Sequence, residues 1–418
     1  MTDIFLGAGL RTPFVKAGGA YAAHDGLQLS TPVAAAMAAR ARPDLVIWGQ
    51  VIPDPIRSNL ARDLIFAAGL DPAIPAFSTV MACSTSFVAM TQAAGMLGRG
   101  DAHLALVGGV ETMSHVPISL AQASADRLLA LFPKDPAAAL AALNALTPAD
   151  FNLPTGGWAN RRSGRSMGDH TEDTAKHFGI ARADQDYIAL ISHQRAIAGQ
   201  DSGFFADLVL PFDGVDHDTL PRRDTSAEKL ASLPPVFDRT SGQGSLTAGN
   251  SSPNTDGAAS LWVADRRGLE RLSGVAVVRL VDWEIMAMEF MEAEGMLMAP
   301  ARAIPRLLAR HGLKFSDIAL FEIHEAFAAQ VLANVKAASD PAYRRAKAGV
   351  EADLGEFPWD RFNPHGGSTA LGHPFAATGA RILSQAVKEL AALPSGSKAI
   401  VSICADGGQG TVALLEAV

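Results

Sequence analysis

Cysteine is nearly absent from this 418-residue chain: Cys83 and Cys404 are the only two. So far apart in sequence, they cannot build a disulfide framework, and free thiols in a reducing compartment are expected. Positive charge is also short. The formal net charge of −8 argues against the basic face that nucleic-acid binding needs, though it leaves room for a local basic patch against a phosphorylated ligand. A secretory start is missing too, because MTDIFLGAGLRTPF carries Asp3 and has neither a basic head nor a long apolar centre. No window of about 18 residues is apolar without charge. No transmembrane segment is therefore predicted, and a cytoplasmic protein is expected. What the chain does have is apolar material, 48% hydrophobic against 19% charged residues, enough for large cores. Its length exceeds one core and predicts two or three packed units.

Strand and helix signals alternate over the first part of the chain. IFLGAGL (Ile4–Leu10) and LVIWGQVI (Leu45–Ile52) read as strands, HLALVGGVETM (His103–Met113) as a strand followed by a glycine turn, and SNLARDLIFAAGL as a capped amphipathic helix ending at Gly69. Between about Ile118 and Gly244 the pattern turns to loops and helices, with a helical pair over Ser166–Ala196 and a basic run holding Arg161, Arg162 and Arg165. SLTAGNSSPNTDGAAS then forms a turn-rich lead into a predicted helix, AASLWVADRRGLERL. VAVVRLVDWEI, from Val275, opens a second alternating series that repeats the order of the first, with a helix expected from Glu325 onward. Such alternation predicts an α/β protein with a sheet covered on both faces. Its repetition predicts a duplicated unit with a site between the halves.

Cys83 stands between an apolar run and a predicted helix marked by Phe87, Met90, Ala94 and Leu97, with Ser84, Thr85 and Ser86 offering N-cap chemistry. Partial positive charge and unpaired N–H groups at a helix start favour the thiolate. A buried, inert cysteine fits the same residues equally well. His373 lies between Gly372 and Pro374 at the mouth of another predicted helix. Cys404 follows the strand IVSI and precedes Asp406-Gly407-Gly408, a turn that brings backbone N–H groups close to a ligand. A nucleophilic thiol, an imidazole base and a second thiol suit carbon–carbon chemistry on thioesters. That chemistry needs a group to hold an acyl chain, a base for an α-proton and donors for two oxyanions.

The Cys83 segment, HEAFAAQ (His324–Gln330), GGSTALGHPFAATGAR (Gly366–Arg381) and CADGGQG (Cys404–Gly410) together resemble the four signature blocks of the thiolases, enzymes that make or cleave 3-oxoacyl-CoA thioesters. GGVETMS and TAGNSSPNTDGA resemble two further blocks, and the HEAF form is most similar to the thiolase subunits of fatty-acid β-oxidation complexes. The resemblance implies a thiolase fold, α/β, with two duplicated βαβ-type halves in a five-layered αβαβα core. Residues 1–119 would form the N-terminal half, 120–246 a loop domain over CoA and at subunit contacts, 247–273 a return to the N-terminal half, and 274–418 the C-terminal half.

It further implies a ping-pong acyltransferase in which Cys83 carries the acyl group and His373 takes the Cys83 proton, later presenting an N–H to an enolate oxygen. Cys404 would be the acid/base, and His324 would hold a water or donate to an oxyanion, with a helix-cap role as its plain alternative. Backbone N–H groups of Cys83 and Asp406 would form the other oxyanion hole. Met167, Phe237, Ser252 and Phe327 would line the CoA site; the three arginines either meet its phosphates or form a solvated charge run. CoA and acyl-CoA enter as substrates, with no permanent cofactor and no metal. A homodimer or homotetramer is implied, with a hydratase/dehydrogenase subunit as a further partner. Two residues depart from the family pattern: His365 in NPHGG, and Asp406, whose carboxylate falls beside an oxyanion hole. A β-ketoacyl synthase-type enzyme, which has no need of Cys404, and a catalytically weak thiolase-like acyl-CoA-binding protein remain the alternatives.

Overall fold

The computed structural model describes residues 2–152, 159–291 and 294–418; positions 153–158 of the expected loop domain lie outside them. The first half supplies β1 (Ile4–Arg11), β2 (Val15–Lys16), β3 (Leu45–Gly49), β4 (Ala76–Phe77) and β5 (Leu104–Glu111). A small hairpin, β6 (Ser119–Leu120) with β7 (Phe151–Asn152), belongs to the connecting segment, after which β8 (Thr255–Ala264) returns to the first half. The second half supplies β9 (Val277–Ala287), β10 (Leu320–Ile323), β11 (Lys398–Ala405) and β12 (Gln409–Ala417).

Duplication is visible in the strand order. The first half runs β4-β3-β5-β8-β1 and the second β10-β11-β12-β9, the same order without a counterpart of β4. Directions match as well: β3 and β5 are parallel, as are β10 and β11, while β5-β8-β1 and β11-β12-β9 are antiparallel throughout, and β4 adds a further parallel strand at the first half's edge. The halves join edge to edge through β1 and β9, paired from Ile4 with Leu280 to Gly7 with Val277.

One helix from each half lies inside. Thr85–Arg99 and Phe375–Ala391 share a core with one face of both sets of strands, where Phe87, Met90, Leu383 and Val387 meet Leu261, Val401 and Ile403. The opposite face of the first half packs on helices Gly26–Arg40 and Leu60–Ala67, and that of the second half on Ala299–Arg310 and Ala328–Ser339. The succession is therefore αβαβα. Gly379 lets the two inner helices close on each other, since a Cβ there would stand 2.6 Å from the Phe87 nitrogen.

Two elements differ from the sequence expectation. The stretch predicted as a helix, AASLWVADRRGLERL, is the buried strand β8 followed only by a short turn of helix, Arg266–Leu269. As a central strand covered on both faces, β8 is a continuous apolar run, and such a run has no period to distinguish it from a buried helix. The helix expected from Glu325 starts instead at Ala328. Backbone that would have made its first turn pairs with the Asn-Ser loop: Ser252 N–H donates to Ala326 O at 3.0 Å, and Ala328 N–H to Asn250 O at 3.0 Å.

Candidate active site

The first residues of both inner helices point at the same spot. Cys83 precedes the N-cap of Thr85–Arg99, and His373 precedes the N-cap of Phe375–Ala391. His373 Nε2 lies 3.1 Å from Cys83 Sγ. Its other nitrogen, Nδ1, is 2.6 Å from Thr378 Oγ1, whose hydroxyl donates to Pro374 O at 3.1 Å. With its hydrogen so placed, Thr378 accepts from Nδ1–H, and Nε2 presents a lone pair to the thiol. Thr255 Oγ1 accepts the His373 backbone N–H at 3.0 Å and holds the main chain at His373 from the β8 side.

His324 joins them from the end of β10, its ring centre 4.2 Å from that of His373. The sulfur and one nitrogen of each histidine fall within 4.8 Å of one another. His324 does not cap the following helix, whose N-cap is Phe327. Cys404 is buried at the end of β11, opposite Gly410, and a negative charge on Cys83 would push its thiol up further, so the two sulfurs share one environment.

Burial decides the protonation states. It drives the Cys83 thiol up to about 12, aided by the negative charges of Asp406 and Glu111 and opposed by the backbone N–H groups of Cys83 and Asp406 that point at the sulfur. It drives His373 down to about 3, with the Arg381 guanidinium contributing, and His324 well down, with His373 and Arg381 adding to it. Cys83 and His373 thus rest as thiol and neutral imidazole. The low-pKa thiolate expected from a helix start is not what the site holds, because loss of solvation outweighs the helix dipole. Nor do the neighbouring hydroxyls cap that helix: Ser84 makes no cap hydrogen bond and Thr411 donates to it across the seam at 3.1 Å.

Asp406 has its carboxylate beside the site but held: Asn160 Nδ2 donates to Oδ1 at 2.9 Å. His365 points away, bonded to Glu389 at 2.6 Å and stacked on Phe204. Above Cys83 opens a cavity of about 640 Å³ that reaches Met167, Phe237, Ser252 and Phe327. These four lie far apart in sequence and come together here. Of the arginines, Arg162 pairs with Glu289 and Arg165 with Asp173, while among the described residues Arg161 has no ion-pair partner. Glu111, Ser368, Thr378 and Arg381 escaped the sequence reading, although all four stood inside the quoted blocks. Glu111 is buried and raised to about 7, and it accepts N–H groups from Val51, Ile52 and Ala376, tying the loop after β3 to the histidine helix.

A duplicated α/β core whose inner helices bring a thiol to an imidazole, under a cavity and beside a second thiol, fits an acyltransferase with a cysteine nucleophile. Comparison with known proteins specifies the family. The thiolase N-terminal domain model matches residues 4–267 and the thiolase C-terminal domain model residues 276–417. The 3-ketoacyl-CoA thiolases of Yersinia enterocolitica and Pectobacterium carotovorum are each 35% identical, with 99% and 98% of this chain and 96% and 95% of theirs covered. Among solved structures, the acetyl-CoA acetyltransferase of Bacillus anthracis superposes with a TM-score of 0.78 at 28% identity, covering 100% of this chain and 99% of that one. Acat5 thiolase from Ascaris suum, solved in complex with coenzyme A, has a TM-score of 0.80 at 24% identity, covering 100% of both chains. The chain belongs to the thiolase family, and it is an acyltransferase.

Proposed function

We propose that the protein cleaves 3-oxoacyl-CoA with CoA, or runs the reverse condensation of acyl-CoA with acetyl-CoA, through a thioester on Cys83. The observation that carries this reading is the 3.1 Å approach of His373 Nε2 to Cys83 Sγ at the base of the cavity. The thiol is neutral at rest, so its proton passes to His373 Nε2 as sulfur attacks the carbonyl, and the nucleophile exists only when a substrate is in place. Backbone N–H groups of Cys83 and Asp406, already aimed at the sulfur, would donate to the tetrahedral oxyanion. Cys404 would exchange the α-proton and protonate the departing CoA thiolate. His324 and the N–H then borne by His373 would meet the enolate oxygen.

CoA would lie in the cavity against Met167, Phe237, Ser252 and Phe327, with residues 120–246 as its cover and Arg161 free to meet a phosphate. Exposed Leu129, Phe132, Leu140 and Leu143 support contacts made by this segment, with a second copy or a hydratase/dehydrogenase subunit. The sheet ends at the short strand β4, followed by exposed Val80, which supports a homodimer or homotetramer. Two free thiols support a cytoplasmic setting.

The test is thiolysis of 3-oxoacyl-CoAs of increasing length, with release of acetyl-CoA as readout. Turnover with an acyl mass on the Cys83 peptide is expected. Binding of CoA without turnover at any length would overturn the reading in favour of a silent acyl-CoA-binding protein.

A further inference from the structure

The two histidines of the site have identical side chains and each bonds a hydroxyl through Nδ1, yet the surroundings of those hydroxyls differ. His324 Nδ1 is 2.8 Å from Ser368 Oγ. Ser368 Oγ also accepts from the Arg381 guanidinium at 2.7 Å. Ser368 is fully buried, and a hydroxyl has one hydrogen to place. With Arg381, which can only donate, on one side, His324 Nδ1 is the acceptor within reach of that hydrogen. If Nδ1 carried a proton instead, the hydroxyl hydrogen would be buried without a partner, which a buried polar group rarely tolerates.

The remaining nitrogen, His324 Nε2, is buried and has no hydrogen-bond partner among the described residues. An unpartnered N–H at that depth is a donor kept for a ligand oxygen. Thr378 sends its hydrogen to Pro374 O and so imposes the opposite arrangement on His373.

We propose that Arg381, acting through Ser368, locks His324 as the Nε2–H tautomer, so that Ser368 and Arg381 are positioning residues for the enolate-stabilising donor of this site. This rests on the reading of His324 given above. Arg381 is buried and makes no ion pair among the described residues. Its hydrogen-bond link to carboxylates runs through Gln385, whose Nε2 donates to Glu322 at 3.1 Å and to Glu389 at 3.3 Å. The guanidinium is therefore free to act on Ser368 and, at longer range, to keep both imidazoles neutral.

Two measurements test the proposal. With ¹⁵N-labelled histidine, and signals assigned by their loss in His324→Asn, His324 should show a protonated Nε2 and a bare Nδ1 in the unmodified protein; a protonated Nδ1 would overturn the proposal. In Ser368→Ala both tautomers should appear, and an unchanged spectrum would overturn Ser368 as the cause. Kinetically, Ser368→Ala should slow carbon–carbon bond formation about ten- to a hundred-fold while acyl transfer to Cys83 stays within about twofold. Equal loss of both half-reactions would indicate a merely structural role and overturn the proposal. A changed tautomer with unchanged condensation would leave the lock standing and overturn the oxyanion role of His324.

Discussion

The heads of the two inner helices occupy equivalent places in the duplicated halves, and each puts its reactive residue one position before the N-cap. In the first half the residue is Cys83, preceded by Ala82 at φ +46°; in the second it is His373, preceded by Gly372 at φ +97°. In each half a residue at positive φ thus stands just before the reactive side chain, presenting a nucleophile in one half and a base in the other, and Gly372, at ψ 168°, lies in a region open to glycine almost alone. Duplication made two like sockets, and the seam between them turned them into a pair. The difference is in cost. Glycine adopts positive φ freely, whereas alanine carries roughly 1–2 kcal/mol of strain there.

Removing the chemistry from one socket should have the largest effect. Cys83→Ala is expected to lower turnover by about 10⁴-fold or more and to abolish the acyl mass. Cys404→Ser, outside the sockets, should keep the acyl mass on Cys83 and lose condensation. Mass spectrometry of the peptides after incubation with acetyl-CoA separates the two, and label on Cys404 instead of Cys83 would reverse the roles.

An intermediate effect belongs to the backbone. Gly372→Ala forces a Cβ to within 2.5 Å of Leu220 and 2.7 Å of Thr255 Oγ1, so His373 must shift, and a displacement near 1 Å costs about a hundredfold in rate. Ala82→Gly relieves strain and should change turnover less than about threefold while altering stability by ~1 kcal/mol. Rates and thermal melts of both variants decide whether the sockets are as unequal as their backbones suggest; equal losses would show that they are not.

The smallest effect concerns charge near the first socket. Because a thiol held near 12 ionises only as pH rises, the rate of iodoacetamide alkylation at Cys83 should climb through about pH 9 without a plateau. Asp406 contributes to that elevation, so Asp406→Ala should lower the thiol pKa and raise both alkylation and acylation by about two- to tenfold. Its backbone N–H remains in place. A rate that falls would mean that Asp406 supports the site through Asn160 and does not oppose it.

Much of this was legible in the amino-acid order. The alternation of strands and helices, the duplication, and the residues Cys83, His373 and Cys404 stand out because short-range patterns carry them, namely apolar period, glycine turns and helix starts beside reactive side chains, whereas His324 stands out only through the likeness of its HEAF block to the thiolases. β8 was misread because a strand buried on both faces has no alternation, and the helix after His324 was placed too early because its first turn pairs with a loop more than seventy residues upstream in the chain. Ser368, Thr378 and Arg381 were in view as letters, but nothing local says which hydroxyl meets which imidazole. Residue type and order determined by themselves which chemistry is on offer. Only the tertiary structure decided the state in which it is held, since protonation depends on solvent lost and charges gained from remote segments. Burial under both halves makes Cys83 a thiol at rest, and the separate partners of Thr378 and Ser368 assign the neighbouring histidines opposite tautomers.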